Sequence, residues 1–371
     1  MAPPPETHDS NQNYDRSKEV KQFDESKAGV KGLVDSGITT LPPMFVNPPE
    51  VLATLKPSPF TGAEIPTIDL AGIHSPDHRI AVVEQVKRAA STVGFFQVIN
   101  HSIPVEVLDE AITAMKAVHQ LPAEVKAPLF KRDIKGVSLV SNMDLYHSKA
   151  AYWRDTLLIQ FAPVPINPEE IPEVCRKRLI DYNQRTLPVK DLLLELLSEG
   201  LGLSRGKFKE LTFGEAVTLS GHYYPYCPQP DLTIGFRSHT DPGVLTLLLQ
   251  DHMGGLQVKY KEGWVDVKPV REALVVNVGD LLQIISNEKY KSVDHRVLAS
   301  NAREARVSIA TFFNPGAAES VYGPLEELTS AEDPPRFRRV TYKDYMHKFF
   351  NKEVDNTSQT DYFRIIKTHA S

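Results

Sequence analysis

From residue 217 the chain reads VTLSGHYY (217–224), LTIGFRSHTD (232–241), VLTLLLQD (244–251), GLQVKY (255–260), GWVDVKPV (263–270), ALVVNVGDLLQIIS (273–286), SVDHRVLA (292–299) and RVSIATFFN (306–314). These runs are rich in β-branched, aliphatic and aromatic residues, the composition of a pleated, buried surface. Turn-forming residues punctuate them: Met253–Gly254–Gly255, Glu262–Gly263, Gly279–Asp280 and Asn287–Glu288. Eight predicted strands at this spacing specify a β-sandwich or barrel.

Upstream the pattern is different. Apolar residues at helical spacing predict helices over Val82–Val93, with Gly94 as the stop, over Pro104–Gln120, and over Ile180–Leu201. IPTIDL (65–70) and GFFQVINH (94–101) read as strands. Because the helices precede the strands instead of alternating with them, the fold class is α+β. Residues 1 to about 25 are polar and are expected to be poorly ordered. A proline-punctuated segment from Gly29 to Pro66 reads as a wrapping strap with one short helix at Val30–Ser36. The Lys-rich run Lys343–Lys352 reads as the solvated face of a C-terminal amphipathic helix. The expected division is therefore an extension (1–60), a mostly helical N-terminal region (61–210), a β core (211–330) and a C-terminal helix and tail (331–371).

Composition removes several function classes. The chain has 371 residues, 41% of them hydrophobic, which is ample for a core, and its formal charge of −5 offers no general attraction for nucleic acid or anionic lipid. No apolar run approaches the ~18 residues of a membrane span. Two cysteines, Cys175 and Cys227, rule out a disulfide scaffold or a thiolate-built zinc or iron–sulfur module. The N-terminus carries no signal-like apolar stretch, so a cytosolic protein is expected. Neither GxGxxG nor GxxxxGK[ST] occurs.

One constellation carries chemistry. In an extended strand, side chains at i and i+2 share a face, so His239 and Asp241 point the same way. His295 lies in a later predicted strand. Two imidazoles and one carboxylate are the facial triad of non-haem Fe(II) sites, which leaves coordination positions open. Ligand identity alone also admits a zinc hydrolase. Arg306 and Ser308 share a face of the last core strand, RVSIATFF (306–313). An arginine pointing inward from so apolar a strand needs an anion, and its planar fork grips a carboxylate in two places. That favours iron with a carboxylate co-substrate over zinc hydrolysis.

Taken together, these motifs resemble the signature of plant 2-oxoglutarate/Fe(II)-dependent dioxygenases. HYYPYCPQPD (222–231), GGLQVKYKEGWVDVKP (254–269) and VVNVGDLLQIISNEKYKSVDHRV (275–297) extend the likeness across about residues 60–350. LPPMFVNPP (41–49) and SNMDLYHSKAAYWRDTL (141–157) are most similar to the branch of 1-aminocyclopropane-1-carboxylate oxidase homologues. The resemblance implies a double-stranded β-helix (jelly roll) core with the helical N-terminal region packed around it. It implies Fe(II) on His239, Asp241 and His295. It also implies 2-oxoglutarate held by Arg306, Ser308 and Tyr224, with O2 as oxidant and ascorbate as reductant. The family's usual asparagine before Tyr-Tyr-Pro is His222 here, expected to be a buried structural histidine.

The expected activity is hydroxylation or O-demethylation of a small, largely apolar plant specialised metabolite, with release of succinate and CO2, by a monomer. Phe236, Phe312, Phe313 and Tyr146 are the candidate substrate contacts, with Trp153 in a segment that would cover the barrel mouth. Two alternatives remain open on sequence: an ethylene-forming 1-aminocyclopropane-1-carboxylate oxidase and a noncatalytic metabolite-binding jelly roll.

Overall fold

The computed structural model describes residues 14–55, 64–132, 135–350 and 359–365. Helices α1 (Arg16–Ser26), α2 (Gly29–Asp35) and α3 (Pro49–Thr54) open it. They are followed by α4 (Pro76–Thr92), α5 (Val105–His119), the single turn α6 (Ala123–Lys126), the long α7 (Glu173–Gly200) and the single turn α8 (Lys207–Glu210). The stripe Val82, Val83, Val86, Ala89 and Ala90 is the buried face of α4, as its spacing predicts. Gly94 ends that segment for two reasons. Its φ is +72°, and a Cβ there would meet the Lys291 carbonyl at 2.3 Å, so no other residue fits without moving backbone.

Eight strands form the main sheet: β1 (Thr67–Asp69), β2 (Phe95–Ile99), β3 (Val137–Val140), β4 (Asp155–Ala162), β5 (Phe213–Tyr224), β7 (Leu245–Gln250), β10 (Leu274–Val278) and β12 (Arg306–Pro315). Their order is β1-β2-β10-β7-β12-β5-β4-β3. The minor sheet has the order β6-β11-β8-β9, from β6 (Phe236–His239), β11 (His295–Val297), β8 (Leu256–Tyr260) and β9 (Gly263–Asp266). Alternation sorts the side chains of the main sheet between two cores. Val307, Ile309 and Phe313 join Leu247 and Leu219 under Val86, Met115 and Leu193 of the helices. On the other face, Tyr224 and Val275 meet Leu256, Val258 and Val297 of the minor sheet. The result is the expected α+β jelly roll, with helices on one face of the main sheet and the minor sheet on the other.

Three expectations change. The N-terminal region is not merely a helical wrap, since it contributes β1 to β4, half of the main sheet, and the sheet runs straight across the boundary at 210/211. The run ALVVNVGDLLQIIS is a strand only to Val278. After Gly279 it turns into α9 (Asp280–Ile285), whose residues are all buried, and an apolar run buried on every side has no period to distinguish helix from strand. Finally, of the polar N-terminus, residues 1–13 lie outside the described residues, whereas α1 is capped by Asp15, which accepts from the Lys18 amide. It packs Val20 and Phe23 into a small core with Met44, Phe45 and Trp153. The C-terminal helix α10 covers Tyr342–Phe350, and residues 351 and 352 of the Lys-rich run lie outside the described residues.

Candidate metal and co-substrate site

His239 and His295 are directly paired residues of the adjacent strands β6 and β11. Their rings lie 4.1 Å apart, centroid to centroid. Asp241 follows two residues beyond His239, where the strand has ended. The ligand atoms of all three fall within 4.8 Å of one another. Asp241 Oδ1 stands 3.7 Å from His239 Nε2 and 3.6 Å from His295 Nε2.

The surrounding groups decide which atoms face inward. Asp241 Oδ2 accepts from Thr246 Oγ1 (2.6 Å) and Asn277 Nδ2 (2.7 Å), which leaves Oδ1 turned toward the imidazoles. His239 Nδ1 lies 2.9 Å from the Arg237 carbonyl and His295 Nδ1 3.3 Å from the Val293 carbonyl. A carbonyl only accepts, so each Nδ1 carries a proton and each Nε2 is the nitrogen turned toward the carboxylate. Burial, followed by the neighbouring His295, holds the His239 pKa well below its usual value, so the ring is neutral at physiological pH. Two imidazoles and one carboxylate oxygen, with no thiolate among them, are a donor set that suits Fe(II).

Across the inward face of the main sheet lies Arg306, 4% exposed. Its Nε donates to the Gly254 carbonyl (2.6 Å), and its two terminal nitrogens donate to Ser308 Oγ (2.9 Å) and Gln250 Oε1 (3.1 Å). Its Cζ stands 5.0 Å over the ring of Tyr224, its register partner on β5. All three hydrogen-bond partners are neutral.

The candidate substrate residues separate. The Phe236 ring is 4.1 Å from that of His239, at the metal-binding group. Phe312 shares the inward face, in register with Thr246. Phe313, one residue on, points the other way and is fully buried in the helix-side core, so it is no substrate contact. Tyr146 is half exposed, donates to Asp24 at 2.8 Å and lies under Arg132. These contacts tie it to α1, and Tyr152 takes the place beside Phe236, at 5.6 Å. Trp153 is core, its Nε1 donating to the Tyr226 carbonyl. His222 is buried on the inward face, in register with Ser308. Its Nδ1 lies 3.0 Å from Thr156 Oγ1 and 3.3 Å from an Arg154 nitrogen.

Sequence reading missed Arg154, Thr246, Gln250 and Asn277. A detectable signal existed for Arg154. It stands two residues before Thr156 in WRDTLLIQFA (153–162), a run with strand composition, and so shares its face.

A jelly roll with two imidazoles and a carboxylate converging between its sheets, and a buried arginine deeper on the same face, is the architecture of an iron-dependent oxygenase. Residues 217–315 match the 2OG-Fe(II) oxygenase superfamily, and residues 65–181 match the family described as non-haem dioxygenase in morphine synthesis N-terminal. The chain is 47% identical to 1-aminocyclopropane-1-carboxylate oxidase homolog 1 of Arabidopsis thaliana, over 95% of this chain and 97% of that one. It is 44% identical to a homologue from Solanum lycopersicum, over 95% and 98%. Among solved structures it is similar to JOX2 in complex with 2OG, Fe and JA (TM-score 0.80, 29% identity, 91% of this chain and 98% of that chain). It is also similar to the dioxygenase for auxin oxidation from rice (TM-score 0.69, 25% identity, 81% and 100%). The chain belongs to the 2OG-Fe(II) oxygenases, in the family of 1-aminocyclopropane-1-carboxylate oxidase homologues. It is a 2-oxoglutarate-dependent dioxygenase that uses Fe(II), 2-oxoglutarate and O2. Among the described residues no helix is long and apolar enough to cross a membrane.

Proposed function

We propose that His239, Asp241 and His295 hold Fe(II), that Arg306, Ser308 and Tyr224 hold 2-oxoglutarate, and that the enzyme hydroxylates or O-demethylates a small, largely apolar plant specialised metabolite. Succinate and CO2 are the co-products, and the reading takes the chain as a cytosolic monomer. The observation that carries the co-substrate assignment is Arg306, a buried guanidinium whose hydrogen bonds all go to neutral groups. A distal carboxylate beside it removes an uncompensated buried charge.

Bound at this centre, iron supplies the oxidising chemistry, and the chain's own residues supply binding, orientation and exclusion of water. Thr246 and Asn277 fix the face of Asp241, and the Arg237 and Val293 carbonyls fix the two imidazoles. Arg306 and Ser308 set the depth of the co-substrate, so its other end falls at the metal. Phe236 and Phe312 wall the space above with apolar surface, which suits a flat hydrophobic substrate and keeps the reacting carbon dry. Abstraction of hydrogen from carbon needs no general base, so none is assigned among the pocket residues.

Anaerobic addition of Fe(II) and 2-oxoglutarate is expected to give a visible charge-transfer band. Screening of plant metabolites by mass spectrometry, with succinate release as readout, then identifies the substrate. Absence of both the band and 2-oxoglutarate-dependent succinate would overturn the reading. Turnover of 1-aminocyclopropane-1-carboxylate with ascorbate and bicarbonate, independent of 2-oxoglutarate, would replace it with the ethylene-forming alternative.

A further inference from the structure

The inward face carries a second buried guanidinium that the co-substrate does not use. Arg154, immediately before β4, is 5% exposed. Its Cζ stacks 3.3 Å from the centroid of Phe236, and that ring in turn packs on His239. A single aromatic ring therefore separates Arg154 from a metal-binding imidazole. One terminal nitrogen meets His222 Nδ1 at 3.3 Å, the Tyr224 phenol lies within hydrogen-bonding reach, and Nε is buried with no partner at all. Since guanidinium only donates, His222 Nδ1 must be an unprotonated acceptor, so His222 does not answer the charge and is itself held neutral. Asp144, a carboxylate whose charge acts on Arg154, is already engaged, accepting from Tyr152 Oη at 2.9 Å and pairing with Arg237 at 3.4 Å.

We propose that Arg154 is a specificity-determining residue that binds a carboxylate on the primary substrate, so that the substrate is a small apolar acid whose acidic end is anchored at Arg154 while its hydrocarbon body extends toward the metal ligands. This rests on the assignment of Fe(II) and 2-oxoglutarate given above. Charge matching then leads to it. The two positive charges of the ferrous ion are met by Asp241 and one carboxylate of 2-oxoglutarate, and Arg306 is met by the other. Arg154 alone remains unmatched in a pocket where an unpaired cation is costly. Stacking on Phe236 holds the fork flat before substrate arrives, so little rotamer freedom is lost when it grips a planar anion.

The test uses the anaerobic enzyme loaded with Fe(II) and 2-oxoglutarate. A panel of aryl- and cycloalkyl-alkanoates, such as 3-phenylpropionate, is titrated against the corresponding methyl esters. Binding is read from the perturbation of the charge-transfer band. At least one acid is expected to bind more tightly than its ester by about tenfold or more, the value of one charge-assisted pair. Arg154→Gln should erase that preference while leaving ester binding and 2-oxoglutarate affinity within about twofold, and Arg154→Lys, which keeps the charge, should restore part of it. Melting curves of both variants establish that they fold, and the Lys variant carries the test if the Gln variant does not.

Acids that bind no better than their esters would overturn the proposal. So would an Arg154→Gln effect that falls on 2-oxoglutarate instead of the acid, which would make Arg154 part of the co-substrate site. If the wild-type band itself never forms, the failure belongs to the iron and 2-oxoglutarate reading. If it forms and no acid is preferred, only the role of Arg154 fails.

Discussion

Asn277 donates its side-chain amide to the oxygen of Asp241 that faces away from the imidazoles, at 2.7 Å. The amide comes from β10 of the main sheet, whereas the imidazoles come from the minor sheet, so this bond helps tie the two halves of the candidate metal site together. With Thr246 on the same oxygen, it leaves the carboxylate a single productive orientation. Outer partners of this kind are worth about 10- to 100-fold in metal affinity. Asn277→Leu is therefore expected to weaken Fe(II) binding by that factor, with Thr246→Val acting in the same direction. Anaerobic Fe(II) titration measures this, and wild-type affinity in both variants would show that Asp241 needs no such support.

Asp241→Ala removes the only carboxylate of the triad. Fe(II) binding and 2-oxoglutarate-dependent turnover should both be lost. The apo protein should still fold cooperatively, because Asp241 lies past the end of β6 and the apolar cores keep all their side chains. Metal analysis and circular dichroism melts decide the matter. Wild-type turnover in this variant would remove the metal assignment.

Arg306→Lys keeps a positive charge but not the planar fork that now spans Gly254, Ser308 and Gln250. A lysine ammonium has a point-like geometry and cannot hold a carboxylate in two places. The concentration of 2-oxoglutarate needed for half-saturation should rise by about tenfold or more, with Fe(II) affinity unchanged. An equal loss of both affinities would instead indicate damage to the fold.

Much of the candidate site is legible in the sequence because its signals are local. Arg306 and Ser308 are two residues apart on β12, so strand alternation places them on one face without knowledge of the fold, whereas β6 ends at His239 and it is the bonds from Thr246 and Asn277 that turn the nearby Asp241 toward the imidazoles. The pairing of His239 with His295 is not local. It depends on β6 and β11 being neighbours in the minor sheet, which a single sequence does not state. Alternation also distinguishes Phe312 from Phe313, yet adjacency made both look like site residues. Arg154 was missed because β4 lies in a stretch dominated by helices and joins the sheet beside β5, some sixty residues later in the chain. Tyr152, and not Tyr146, stands beside Phe236, and nothing in the segment's sequence shows which aromatic turns toward β6. That choice is made by the contacts of Tyr146 with Asp24 and Arg132, which are again long-range.

His119, at the end of α5, provides a prediction about stability instead of catalysis. It is 1% exposed, its ring stacks 4.7 Å from that of Tyr223, and its Nε2 has no hydrogen-bond partner. Burial, aided by the nearby Lys126 ammonium, lowers its pKa from 6.5 to about 3. In the unfolded chain the imidazole takes up a proton near pH 6.5, so below that pH the unfolded state binds more protons than the folded one. The stability contributed by the neutral ring is therefore complete above pH 6.5 and drains away as pH falls toward 3, at up to about 1.4 kcal/mol per pH unit. His119→Phe keeps an aromatic ring on Tyr223 and removes the proton. Urea titrations of the metal-free protein at pH 7.5 and pH 5 should show the wild type losing about 2 kcal/mol more than this variant between the two. Equal losses would mean that His119 takes up its proton as readily in the folded state as in the unfolded one, and would overturn the reading that burial keeps it neutral.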